Sequence, residues 1–271
     1  MLARPGETFA DMRRMGGGLL RAICSAERSH LLSRGTPRST LNRRINAQRR
    51  FATQQFEQAR IERLAIAAGC SLDAILVYLC GSTLRRFFKE YNALPGKSLI
   101  AAVPVSLGER GEGLPDNAIT GLRVALCTDI GDPLRRLEAV KDVVNAVRED
   151  RESLPAAAVT PYVLLRSAPV YAGQVPALGR LVPPVFNLTV SNTAGPDSRR
   201  YLRGARLEAL YPVSPLMQYS ALSVDCVSYA GTLNIGFTGA RDTLPHLQRL
   251  AVYTGRAVEE LEGLLASEGG A

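Results

Sequence analysis

The chain has 271 residues, 46% hydrophobic and 21% charged, which supplies a full hydrophobic core and excludes a disordered polymer. Its net charge of +8 is concentrated in residues 1–60, where twelve arginines face four acidic residues, and the remainder is balanced. A neutral body without aromatic interleaving argues against nucleic acid, whereas the basic arm suits phosphates, anionic lipid or an acidic partner surface.

Residues 1–40 read as a basic linker with a short helix around Phe9 to Ile23, broken by Gly16-Gly17-Gly18, and residues 41–271 as one domain. Leu41 to Arg44 and Arg49 to Phe56 look extended and lead into a helix over Glu57 to Ala68, which Gly69 stops. Ser71 is the expected N-cap of a buried helix reaching Tyr91, with Leu72, Ile75, Leu76, Leu79, Thr83, Leu84 and Phe87 at three- and four-residue steps. Asp73 falls in its first turn, where the helix dipole favours a carboxylate.

A strand is expected over Leu99 to Val105, then a Gly-rich charged loop over Gly108 to Asn117, then a second strand over Ile119 to Cys127. Asp132-Pro133 opens a helix to about Arg148 with Leu134, Leu137, Val140, Val144 and Val147 on its buried stripe. Between Pro155 and Pro184 helical and proline-broken pieces alternate. Phe186, Leu188 and Val190 then alternate with Asn187, Thr189 and Ser191, the period of a half-buried strand, and Asn192 with Gly195-Pro196 adds turn chemistry.

Tyr201 to Tyr211 looks extended, Leu222 to Tyr229 and Thr232 to Phe237 form a hairpin about Ala230-Gly231, and Leu244 to Leu265 is a terminal helix. This order predicts an α/β fold: a mixed β-sheet with helices packed mainly on one face. No run of 18 uncharged apolar residues offers a membrane span, and the N-terminus lacks a secretory apolar region, so the cytoplasm is the expected compartment.

Five scattered cysteines without a Cys-x-x-Cys pair read as buried small hydrophobes, and the solitary His30 and His246 as surface residues, so no metal site is expected. No phosphate loop, dinucleotide fingerprint, Gly-x-Ser-x-Gly elbow or His-Glu-x-x-His occurs. The sequon Asn187-Leu188-Thr189 lies in a strand and carries little weight.

What does stand out is a series of strings in fixed order: Leu41-Asn42, Arg50-Phe51-Ala52, Gly69 to Leu76, Gly81 to Arg85, Val103-Pro104-Val105-Ser106, Asn117, Asp132 to Leu137 and Ser191 to Pro196. Gly204-Ala205, Tyr211 to Pro215 and Ser228 to Gly231 continue it. Together they resemble the C-terminal half of the bacterial wax ester synthase/diacylglycerol acyltransferase family. The resemblance implies a chloramphenicol-acetyltransferase-like domain that packs against a catalytic half, with a substrate tunnel between them.

Members of that family carry a His-His-x-x-x-Asp-Gly motif whose second His is thought to act as general base, and this chain contains no His-His pair. The resemblance therefore implies no catalytic residue here and an expected start in the linker after the catalytic domain. Asp73-Ala74 stands where the family has Asn-Asp, which changes charge and hydrogen bonding. Asp73, Pro104, Ser106, Asn117, Ser191 and Asn192 match family positions and are the implied tunnel-wall and positioning residues.

The implied role is to supply acyl-CoA and acceptor surface for triacylglycerol or wax ester synthesis, with acyl-CoA as substrate and no cofactor. Implied partners are the catalytic domain, or a second copy of the chain, and the periphery of a membrane or lipid droplet. The alternative is a non-catalytic module that binds lipid surfaces or a partner chain through the basic arm.

Overall fold

The computed structural model describes residues 35–106, 119–153 and 183–268. The expected helix at Phe9 to Ile23, His30, the Gly108 to Asn117 loop including Asn117, and nearly all of Pro155 to Pro184 lie outside the described residues.

The chain enters through a 3-10 turn, Thr40–Asn42, where an extended segment is expected; Ser39 caps it through its side chain and Leu41 is fully buried. Strand β1 (Arg49–Glu57) follows, then helices α1 (Gln58–Ala67) and α2 (Leu72–Glu90). Gly69 adopts φ 60° between them, the left-handed stop that glycine allows most cheaply. Ser71 Oγ accepts from Ala74 N at 3.2 Å, Asp73 lies in the first turn of α2 and Lys89 in the last, so both helix ends are satisfied in charge and hydrogen bonding.

Strands β2 (Ile100–Ser106) and β3 (Ile119–Ala125), helix α3 (Pro133–Ser153) and strand β4 (Leu188–Thr193) come next. Asp132 Oδ1 accepts from Arg135 N at 2.8 Å, the cap read from Asp132-Pro133. A short hairpin of β5 (Tyr201–Leu202) and β6 (Ala205–Arg206) replaces the expected extended run to Tyr211. Its turn residues Arg203 and Gly204 have φ 50° and 82°, and the same pair of positive values at Ala230 and Gly231 joins β7 (Leu222–Tyr229) to β8 (Thr232–Ala240). Helix α4 (Gln248–Glu268) ends the chain.

Among the described residues six strands form one mixed sheet in the order β1-β8-β7-β4-β2-β3. The central β7, β4 and β2 run parallel, and antiparallel neighbours flank them on both sides. The helices cover one face, with α2 between α3 and α4, as the expected one-sided α/β arrangement requires. Packed between its neighbours, α2 buries every residue from Ala74 to Leu79.

Register divides the sheet residues cleanly. Gln54 donates to Ala251 O of α4 at 3.2 Å, so its row, with Ile235, Cys226 and Asn192, faces the helices. The row through Thr53, Gly236, Asp225 and Ser191 faces the other way, and a Cβ at Gly236 would meet Pro212 and Phe51. Part of that outer face is covered by the irregular segment after β4: Tyr229 Oη donates to Leu207 O at 3.0 Å and accepts from Arg200 N at 2.8 Å. Strand β7 is thereby buried on both faces.

Two buried polar anchors join distant parts of the chain. Asn187 is fully buried; its Nδ2 donates to Pro37 O at 2.8 Å and Asn42 Oδ1 at 2.7 Å, and its Oδ1 accepts from Ile100 N at 2.8 Å. Asn42 Nδ2 in turn donates to Phe186 O and Tyr219 O. Arg136, 3% exposed, ties α3 to α2 through Ser82 Oγ at 3.2 Å and the Tyr78 ring at 5.4 Å from its centroid.

Candidate functional site

The C-terminal ends of parallel strands are where open α/β sheets gather ligands, because loops and helix N-termini converge there. In this chain the C-terminal end of β4 meets the N-terminus of α2. Asn192 Nδ2 donates to Asp73 Oδ1 at 3.1 Å, and both residues are exposed. Asp73 lies in the first turn of α2, at the positive end of the helix dipole.

Ser191 precedes Asn192 and therefore points to the opposite, outer face. Its Oγ donates to Asp225 Oδ1 at 2.9 Å, while Ser223 Oγ donates to Oδ2 at 2.8 Å and Thr189 Oγ1 to Ser223 Oγ at 2.8 Å. Asp225 is 3% exposed and Ser223 fully buried. Both carboxyl oxygens are thus hydrogen bonded, as a buried polar group requires. Extending the β2–β4 register from Ala102↔Thr189 places Pro104, itself exposed, beside Ser191 on this face.

Four of the six expected site residues fall into two groups near the C-terminal ends of the parallel strands. Asp73 and Asn192 share the helix side, Pro104 and Ser191 share the outer side, Ser106 ends β2 with a side chain outside the described set, and Asn117 is not described. Asp225 was missed by reasoning from the sequence. Its signal was present: an acidic residue in the middle of the Leu222–Tyr229 strand, whose other residues are apolar or serine, two residues from Ser223.

Glycine and proline hold this edge in place. Gly195 N donates to Ser228 Oγ at 3.1 Å and Ala230 N to Pro196 O at 3.1 Å, and a Cβ on Gly195 would run into the Ser228 carbonyl oxygen. On the helix side Cys226 is buried and burial raises its thiol well above the usual range, with Cys80, Asp225 and Asp73 adding negative potential. Burial also pushes Cys80 up to about 12, with a contribution from Asp225, although part of its surface stays accessible. These thiols stay protonated at neutral pH and offer no nucleophile.

His246 is exposed and stacks on Tyr91 beyond the C-terminus of α2, with ring centroids 5.6 Å apart. The site lies at the other end of that 19-residue helix, roughly 27 Å away at 1.5 Å per residue. His246 cannot serve as its base. Among the described residues no group of three or more His, Cys, Asp or Glu side chains could hold a metal ion, and no single helix is long and apolar enough to cross a membrane.

Comparison with known proteins identifies the lineage. Residues 116–262, more than half of the chain, match the family model of the WS/DGAT C-terminal domain. A Mycobacterium tuberculosis protein named as a diacylglycerol O-acyltransferase is 42% identical over 228 residues, which are 83% of this chain and 46% of the relative. A Mycobacterium bovis protein of the same designation is 34% identical over 259 residues, 96% of this chain and 58% of the relative. The solved wax ester synthase/diacylglycerol acyltransferase of Marinobacter aquaeolei VT8 superposes with a TM-score of 0.76 at 28% identity, covering 93% of this chain and 57% of that one. The chain spans about half the length of these relatives. By sequence and fold alike, it belongs to the wax ester synthase/diacylglycerol acyltransferase family, of which it carries the C-terminal domain.

Proposed function

We propose that this chain supplies the acyl-CoA- and acceptor-binding half of an O-acyltransferase that makes triacylglycerol or wax ester. A catalytic base from outside these 271 residues completes the site. The observation that carries the reading is the Asn192–Asp73 hydrogen bond, which joins β4 to α2 where the parallel strands end. Asp73, Pro104, Ser106, Asn117, Ser191 and Asn192 act as wall and positioning residues, not as acid or base. Acyl-CoA is a substrate and no cofactor takes part.

Deprotonating an alcohol as it attacks a thioester needs a base within hydrogen-bond reach, worth roughly 10²-fold to 10⁴-fold, and the distant His246 does not provide one. The test is CoA release from palmitoyl-CoA with hexadecanol or dioleoylglycerol, by the purified chain alone and with the N-terminal half of a related enzyme. Silence alone and turnover on mixing are expected. Robust transfer by the chain alone, surviving replacement of both His30 and His246, overturns the proposal.

A second reading, a lipid-surface or partner-binding module, is favoured by the β5–β6 hairpin. Tyr201 and Leu202 are 64% and 76% exposed, and Arg199, Arg200 and Arg203 flank them, a basic and apolar tip suited to an anionic bilayer on the cytoplasmic side. Vesicle binding that falls steeply from low to physiological salt supports this module; indifference to salt rejects it.

A further inference from the structure

The hydroxyls on the outer face form a chain whose direction is imposed by the carboxylate at its end. Ser191 and Ser223 both donate to Asp225, at 2.9 and 2.8 Å. Thr189 donates to Ser223 at 2.8 Å. A hydroxyl has one proton, and Ser191 and Thr189, each partly exposed, spend theirs inward. What they turn toward solvent is lone pairs, with the buried Asp225 carboxyl behind them. Pro104 alongside adds no backbone N–H.

Such a surface selects by polarity. It welcomes an uncharged hydrogen-bond donor and disfavours phosphate, carboxylate or a developing oxyanion, each of which needs donors. CoA carries its hydroxyls beside phosphates, which this face disfavours, so the neutral substrate that brings an O–H is the alcohol. We infer that Ser191 forms the docking point of the acceptor alcohol before transfer: its Oγ accepts a hydrogen bond from the hydroxyl of a neutral long-chain alcohol or diacylglycerol, which turns that O–H to the base as transfer begins. Asp225 is the positioning residue that fixes this polarity. The thioester carbonyl and the CoA phosphates bind elsewhere. This inference rests on the proposed function and adds the part of the substrate that this face reads.

The test needs no turnover. Binding of 1-decanol, 1-fluorodecane and decanal to the purified chain is followed by calorimetry and by NMR shifts; the fluoride keeps the length but lacks the donor, and the aldehyde offers only an acceptor. Decanol should bind roughly fivefold to tenfold more tightly than 1-fluorodecane, the value of one neutral hydrogen bond. Ser191→Ala should abolish that ratio.

Asp225→Asn puts an NH₂ donor in the row, releases a serine proton to point outward, and should move the preference toward decanal by a similar factor. If circular dichroism shows that variant unfolded, Ser191→Ala carries the decision. Equal binding of decanol and 1-fluorodecane by the parent chain, or a ratio unaltered in Ser191→Ala, overturns the subsite and leaves a lipid-binding surface standing. Failure of all three probes to bind overturns the subsite and the proposed binding half together.

Discussion

Arg136 brings a guanidinium into the interior, and among the described residues it is met by Ile130 O at 2.8 Å, Ser82 Oγ and the Tyr78 ring, not by a carboxylate. A planar fork fits carbonyl, hydroxyl and ring at once, and an ammonium does not. Arg136→Leu should lower stability by about 3 kcal/mol because it orphans the buried Ser82 hydroxyl and the Ile130 carbonyl. Arg136→Lys should recover less than half of that. Urea unfolding of the two variants checks both; a fully recovered lysine variant means that charge alone is needed. The sequence showed Arg136 only as one member of a family string, since an arginine on an amphipathic helix gives no sign of pointing inward. Asp73, by contrast, was legible as a first-turn carboxylate after a Ser71 cap, because capping is local chemistry.

At the scale of elements, close approach and charge pairing set how the helices lie. Gly81 lets α2 meet the end of β3, where a Cβ would collide with the Leu126 carbonyl oxygen. Gly81→Ala should therefore destabilise by about 1–3 kcal/mol. Gly263, with open space around it in α4, should gain roughly 0.5–1 kcal/mol on the same change. Opposite shifts of the urea midpoint check the pair, and a neutral Gly81→Ala means that α2 can retreat without cost.

Helices α1 and α4 are bridged by Arg60, whose Nε and Nη2 donate to Glu262 at 2.7 and 2.6 Å. Hydrogen bonding from Arg60 holds the Glu262 carboxyl below the usual range. A depressed carboxyl contributes stability above its unfolded pKa and loses it as pH falls through the folded one. Both groups are about one third exposed, so the contribution is at most about 1 kcal/mol. Glu262→Gln should be less stable than the parent at pH 7 and equal to it near pH 3. A gap that persists in acid assigns the effect to packing.

Over the whole molecule, one hydrophobic core runs from Leu41 to Leu261, and the sheet pairs β1 with β8 across nearly the full described length. The residue that closes this long-range arrangement is Asn187, which holds the 37–42 segment, β2 and the start of β4 together. Asn187→Ala leaves Ile100 N and several buried acceptors unsatisfied and should cost about 2–4 kcal/mol. Far-UV circular dichroism and tyrosine fluorescence should report the same lowered midpoint. Separate midpoints for the two probes mean that the 37–42 segment detaches by itself. Its burial also makes the formal sequon at Asn187 a packing residue.

Local chemistry in the sequence determined the capped helices, the Ala230-Gly231 hairpin, the half-buried Leu188–Thr193 strand and the one-sided α/β class, because caps, turns and hydrophobic period depend on neighbours a few residues apart. Its ordered strings also carried the family. Tertiary structure alone decided that Asn192 meets Asp73 on one side of the sheet while Ser191 meets Asp225 on the other. Alternation says that adjacent residues diverge, but which partners await them depends on strand order and parallel register. Those are set by burial between segments more than a hundred residues apart, such as Asp73 and Asn192.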